Sequence, residues 1–255
     1  MTAPLASFLV VVPPGWARLP ADEEHRAELG AEVRRVVDRA LPEDLPRDRA
    51  EPLRQEMRNR LFATVVEAGD TGATAVYLPV QPVDGFTPAA SIIESEVDDE
   101  SEQEPAEVVA EILADALPDR YDPSDPGLRE VDGGIAARTE TLVRRAVPAE
   151  VAGELPAVDD RQVVWTIPVP HRPGRWVVMS FSAVSTPAEA TPAGTNPAST
   201  TPAEAAPAAV TTDARIADAL VTLFDAVMTT FRWTDVPGVE PTTLEQRLAE
   251  IGGRA

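Results

Sequence analysis

The residues able to do chemistry in this chain are few. His25 and His171 are the only histidines, the usual general bases or metal ligands near neutral pH. His25 falls in the polar first turn of a predicted helix and His171 in a predicted hairpin turn. Neither has a second His three or four residues away, so no helical metal pair exists. Each reads as a solvated surface group. Zero Cys removes thiol nucleophiles, disulfides, Cys-ligated zinc and iron–sulfur clusters. No G-x-S-x-G elbow occurs, and Ser180 and Ser182 fall on the opposite strand face from Met179 and Phe181. The 14 Gly are scattered in turns, and Gly133-Gly134 has no third Gly and no following helix to cradle a phosphate.

Carboxylates are plentiful, and paired acids can serve hydrolysis or cation binding. "EVDDESEQE" (96–104) lacks the ligand alternation and bend Gly of a calcium loop, and Asp122 and Asp125 in "DPSDPG" read as two successive turns. Charge runs of this kind are solvated loops. The places for an Arg/carboxylate cleft between a helical layer and a sheet are Arg138, Arg144, Arg145 and the pair Asp159–Asp160. Four Trp remain: Trp16, Trp165, Trp176 and Trp233. Trp165 shares a strand face with core-type residues, whereas Trp176 lies opposite Val177, Met179 and Phe181, so it is the expected partner contact. No catalytic residue, metal ligand or cofactor site is assigned.

The charge balance narrows the partners. The formal net charge is −21, and all 22 basic residues are Arg, a bias that accompanies the abundance of Ala, Pro, Val and Asp and reads as GC-rich coding. Such acidity repels phosphate backbones and anionic bilayers, so neither nucleic acid nor a membrane is expected as partner; another protein is. "MTAPLAS" has no charged side chain, and the apolar run Phe8–Val12 stops at Pro13-Pro14, too short for an export signal or a membrane span. The expectation is a cytoplasmic protein.

The elements that must position these residues follow from periodicity. Phe8–Val12 predicts a strand buried on both faces, ended by Pro13-Pro14, with Trp16 just past the turn against a helical layer. Leu29, Val33, Val36, Val37 and Ala40 predict a helix over 22–41. Leu53, Met57, Leu61, Thr64 and Val65 predict a second over 48–68, with Asp48 and Glu51 as a capping box. Strands are predicted at 73–80 and 89–97, a helix at 105–117 with the stripe Val108, Val109, Ile112 and Leu113, and strands at 128–131 and 134–147. The clearest hairpin is 162–184, where Val163, Trp165, Ile167 and Val169 oppose Val177, Met179, Phe181 and Ala183 across "HRPG". The stripe from Ile216 to Phe231, with Leu220, Leu223, Phe224, Val227 and Met228, predicts a long C-terminal helix over 211–233.

These elements make one α+β domain, 1–184 plus 211–233, with a largely antiparallel β-sheet packed by helices. The TPA-repeating stretch 185–210 is built from Pro, Ala, Thr and Glu without an aromatic residue, the composition of a disordered insertion. Residues 234–255 form a tail with a short helix, Thr242 and Glu245 capping it and Leu244, Leu248 and Ile251 as its stripe.

An opening strand into "VPPGW", the late strand "GRWVVMSFSA" and the closing helix "IADALVTLFDAVMTTFRW" together resemble the PsbP-like fold family, including the actinobacterial lipoproteins of the LpqN/LpqT type, over 8–233 in layout. Those lipoproteins carry an export signal and a lipid-modified Cys, which this sequence lacks. The resemblance implies a small non-enzymatic binding or accessory domain and supplies no catalytic residues. Together with the acidity, the expected function is a cytoplasmic, non-catalytic, protein-binding accessory domain, with an adaptor or chaperone of an actinobacterial secretion system as its concrete form. The alternative is an enzyme or small-ligand binder using the Arg/carboxylate cleft.

Overall fold

A computed structural model describes residues 7–41, 47–82, 87–99, 103–146, 157–186 and 212–234. A short strand β1 (Phe8–Leu9) precedes β2 (Trp16–Pro20), helices α1 (Arg26–Ala40) and α2 (Arg47–Asp70), and strands β3 (Ala73–Pro79) and β4 (Ala90–Asp98). Helix α3 (Pro105–Asp115) leads into β5 (Leu128–Val131), β6 (Gly134–Ala146), β7 (Ala157–Pro168) and β8 (Arg175–Ser185). Helix α4 (Thr212–Met228) and a two-residue strand β9 (Arg232–Trp233) follow. Seven strands form one sheet in the order β2-β3-β4-β8-β7-β6-β5, with every neighbouring pair antiparallel. The fold is α+β, a largely antiparallel sheet packed by helices.

Strand alternation sorts side chains between two faces. Val163, Trp165 and Ile167 of β7 face Phe181, Met179 and Val177 of β8, and Phe181 pairs onward with Ile92 of β4. These residues share one face, where Ala217, Val221, Phe224 and Met228 of α4 complete the main core. Phe224 stacks on Phe181 with ring centroids 5.0 Å apart. On the other face, Leu29, Val33 and Val37 of α1 and Val65 of α2 pack on Leu19 and Val76. Each such buried aliphatic contributes about 1.5–3 kcal/mol relative to exposure. Near the C-terminal end of α2, a methyl group on Gly69 would sit 2.0 Å from the Ala21 carbonyl oxygen, so only Gly permits that approach. Helix α3 covers the far end of the same face, laying Val109 on Ala137 and Trp176.

Several expectations are corrected. The Phe8–Val12 run is not a central strand: only Phe8 and Leu9 pair, with Trp233 and Arg232, in a separate two-stranded sheet. The Val11 amide donates instead to Thr230 Oγ1 at 2.9 Å, and Val10 and Val12 pack onto the main core as an apolar strap. The main sheet begins at Trp16–Pro20, an edge strand where a terminal Pro is tolerated. Trp16 starts that strand and packs against the core on the α4 side, not against α1 and α2. Asp48 lies inside α2, so it is not the residue preceding the helix. Leu53 and Thr64 are exposed on α2, while Phe62 and Val66 pack inward.

The C-terminal helix is shorter than the predicted 211–233. Its last turn tightens through Thr230 N donating to Val227 O at 2.9 Å and Phe231 N to Met228 O at 3.2 Å, and the chain then turns back into β9. This places Phe231 against Phe8, with ring centroids 4.8 Å apart, and Leu223 points outward. The stretch predicted as disordered at 185–210 lies outside the described residues from 187 onward. The tail helix predicted within 234–255 lies outside them from 235 onward.

Candidate functional site

A concavity beside β4 is bordered by a local irregularity in the sheet. Between β3 and β4 the register shifts at Ala73/Ala75, leaving Thr74 as the extra residue of a bulge. Thr74 Oγ1 donates to Glu94 Oε1 at 2.8 Å. Tyr77 Oη donates to Glu94 Oε2 at 2.5 Å, and Arg18 Nη2 reaches Glu94 Oε1 at 3.4 Å. Glu94 occupies the core face of β4 in register with Met179, and its side chain is only 7% exposed. Without these donors a carboxylate this buried would be strongly unfavourable.

Beside Glu94 opens a cavity of about 640 Å3, within the size range of small-molecule sites. The strap residues Phe8, Leu9, Val10 and Val12 form an apolar wall, while Arg18, Tyr77, Glu94 and Glu96 form the polar floor. Asp22, Glu24 and His25 stand at the rim. His25 Nδ1 lies 2.6 Å from Asp22 Oδ1, and this hydrogen bond raises the imidazole above its ordinary value. On Asp22 desolvation is the largest influence and raises the carboxyl, but the bonds from the His25 ring and amide, with the His25 charge, together outweigh it and lower the carboxyl. Burial, and secondarily the neighbouring Glu94, push Glu96 up. Burial also pushes the Tyr77 phenol far above its ordinary value, with the Glu94 charge adding to it, so Tyr77 stays a hydrogen-bond donor. Among the described residues, no three His, Asp or Glu side chains converge as a metal ion would require.

The sites expected from sequence are dispersed. Arg138 is buried between β6 and α4, where its Nε and Nη2 donate to the two oxygens of Asp225, both at 2.8 Å. Nη2 also reaches Glu140 Oε2 at 2.8 Å. Arg161 joins by donating from Nε to Glu140 Oε1 at 2.6 Å, pairing with Asp218, and lying 3.6 Å above the Tyr121 ring. Desolvation opposes the Arg138 charge, but its bonds to Asp225 and Glu140 outweigh it and raise the guanidinium. The adjoining void, lined by Arg138, Glu140 and Asp125, holds about 10 Å3, room for one water. Arg144 pairs with Asp159 on the same face as Arg138, at the far end of β6. Arg145 pairs with Asp160 on the opposite face, where Asp160 also accepts from Ser182 Oγ at 2.6 Å. The Arg138, Arg144, Arg145 and Asp159–Asp160 groups therefore do not line one cleft.

Trp176 also departs from expectation. It is 4% exposed beneath α3, so the helix and not a partner covers its face of the sheet, though its side chain also lines a groove with Val97 and Ile112. Trp165 and Trp233 lie in the main core. His171 adopts φ 57° in the β7–β8 turn, and His25 lines the pocket rim. Asp122 accepts from the Ser124 amide and hydroxyl at 2.8 and 2.6 Å, as a turn residue does. Asp125 instead enters the Arg138 network and receives Arg129 Nη2 at 2.5 Å.

Sequence reasoning missed Tyr77, Glu94 and Arg18, and it read Glu96 as the start of a solvated acidic loop, whereas Glu96 is half-buried in β4. One signal was available: in "SIIESEV", Glu94 and Glu96 share the alternation of Ile92, so two carboxylates follow a buried Ile onto the core face. No family model matches the chain, and no curated protein matches it.

Proposed function

We propose that this chain is a non-catalytic, cytoplasmic protein-binding accessory domain, acting as an adaptor or chaperone linked to an actinobacterial secretion system. The observation that carries the reading is the 640 Å3 pocket, whose apolar strap wall stands beside a polar floor of Arg18, Tyr77, Glu94 and Glu96. Its most buried acid, Glu94, is held by Tyr77, Thr74 and Arg18, a posture suited to holding a shape and a charge. The rim imidazole is committed to Asp22. The exposed strap residues Leu9 and Val11 extend an apolar lip beside the pocket, as a protein contact would use. The chain's strong acidity favours basic partners. No helix among the described residues is long and apolar enough to cross a membrane.

The test is site-specific photocrosslinking in the native host. A benzophenone side chain at Leu9, on the pocket lip, is expected to capture one secretion-system protein or exported substrate reproducibly. The same group at exposed Leu53 on α2 is expected to capture none of it. Capture from neither position, or equally from both, overturns the proposal.

A further inference from the structure

The pocket's charge is lopsided in a way the fold does not require. Four carboxylates, Asp22, Glu24, Glu94 and Glu96, line it against one guanidinium, Arg18, and the imidazole of His25. Glu94 is occupied by its own donors and Asp22 by His25. Glu96 sits two residues along the same strand face as Glu94, half-buried, and accepts no hydrogen bond from any described residue. Glu96 lines the cavity together with the apolar Phe8, Leu9, Val10 and Val12, and although the charges of Arg175 and Arg172 act on it, burial and Glu94 outweigh them. A carboxylate beside an apolar wall matches a cationic head on a hydrocarbon stem, because the stem buries along the wall while the head reaches the acid. An anion would meet four negative groups, and a bare metal ion would find no three converging ligands among the described residues.

We propose that this pocket receives a basic side chain of the partner protein, an arginine or lysine flanked by apolar residues, with Glu96 as its carboxylate acceptor and the Phe8–Val12 strap along its stem. The inference rests on the protein-binding reading above. The incoming cation also relieves the repulsion between Glu94 and Glu96, the second contributor to the raised Glu96 carboxyl.

The full chain is titrated at low salt with three probes: the peptide acetyl-Leu-Arg-Leu-amide, its citrulline counterpart, and agmatine. Affinity is measured by calorimetry and the site by methyl NMR of Leu9, Val10 and Val12. The expected result is saturable binding of the arginine peptide with shifts at those methyls, at least tenfold weaker for the citrulline peptide and about tenfold weaker in Glu96→Gln. The variants Glu96→Gln and Glu24→Gln are checked for unchanged circular dichroism, and Glu24→Gln, at the rim, is expected to lose less than Glu96→Gln. Equal binding of the arginine and citrulline peptides, or of the parent and Glu96→Gln, overturns the cation-acceptor inference and leaves the protein-binding reading standing. Agmatine binding as tightly as the peptide overturns the protein-side-chain assignment in favour of a free organic cation. No binding of either cationic probe at millimolar concentration overturns the inference outright.

Discussion

Replacing Arg138 with Met tests whether the buried ion-pair network fastens α4 to the sheet. Arg138 is 5% exposed and makes three hydrogen bonds of 2.8 Å, two to Asp225 on α4 and one to Glu140 on its own strand. Removing one partner of a buried pair costs about 3–5 kcal/mol, because the other charge is left without compensation. Two features place this case at the lower end. Asp225 is 35% exposed, so water recovers part of its solvation. Glu140 keeps Arg161 at 2.6 Å. The expected loss is therefore about 3 kcal/mol, equivalent to roughly 6–12 °C in Tm for a folded unit of this size. Urea unfolding followed by tryptophan fluorescence reads it directly, since Trp165 Nε1 donates to Asp225 at 3.2 Å. Asp225→Asn is expected to cost about 1–2 kcal/mol, and the double variant to lose less than the sum. As a control, Arg232→Met, whose guanidinium is part-exposed and 3.6 Å from Asp132, is expected to stay within about 0.5–1 kcal/mol of the parent. A loss from Arg138→Met below about 1 kcal/mol refutes the reasoning.

The remaining expectations concern the pocket and the α3 face. His25 is expected to titrate above its ordinary value by proton NMR, and to move back toward it in Asp22→Asn. Because its folded value is raised, the stability it contributes is fully present below the unfolded histidine value and is lost as pH rises through the raised one. Glu96 behaves oppositely to a salt-bridged acid: its raised carboxyl makes the ionised form a destabilising one. Glu96→Gln is therefore expected to melt at or above the parent temperature at pH 7, with the difference vanishing once acid protonates the parent; a clear loss of stability at pH 7 contradicts this. Trp176→Ala is expected to cost about 3–5 kcal/mol in urea unfolding, the cost of emptying a core site, and a value below about 1 kcal/mol contradicts its burial beneath α3.

Much of the framework was legible because burial on one face imposes a period. The alternation through Val163–Val169 and Val177–Ala183 located the central hairpin, and Leu29, Val33, Val36 and Val37 located α1. Where the environment is asymmetric in other ways, the period misled. Phe8–Val12 is apolar throughout because it straps the core beside Phe231, not because it sits mid-sheet. The edge strand "WARLP" carries only a short mixed pattern, since an edge tolerates its terminal Pro and its Arg18 lines the pocket, so Trp16 read as lying just past the turn. The predicted final helix overran by two turn residues, Phe231 and a strand, since Phe231 and Trp233 are apolar for the sake of Phe8. The pocket was hidden for a different reason. Arg18, Tyr77 and Glu94 are far apart in sequence, and only the antiparallel registers of β2, β3 and β4 bring them together. His25 looked like ordinary helix-start polarity, although its partner Asp22 stands only three residues upstream.

Competition at the pocket lip tests the central claim most directly. With the benzophenone group at Leu9, the partner is captured in the presence of increasing acetyl-Leu-Arg-Leu-amide or of its citrulline counterpart. The account predicts that the arginine peptide suppresses the crosslink in a dose-dependent way, that the citrulline peptide does not, and that Glu96→Gln weakens capture without the peptide. A crosslink that persists at saturating arginine peptide and survives Glu96→Gln would contradict the account.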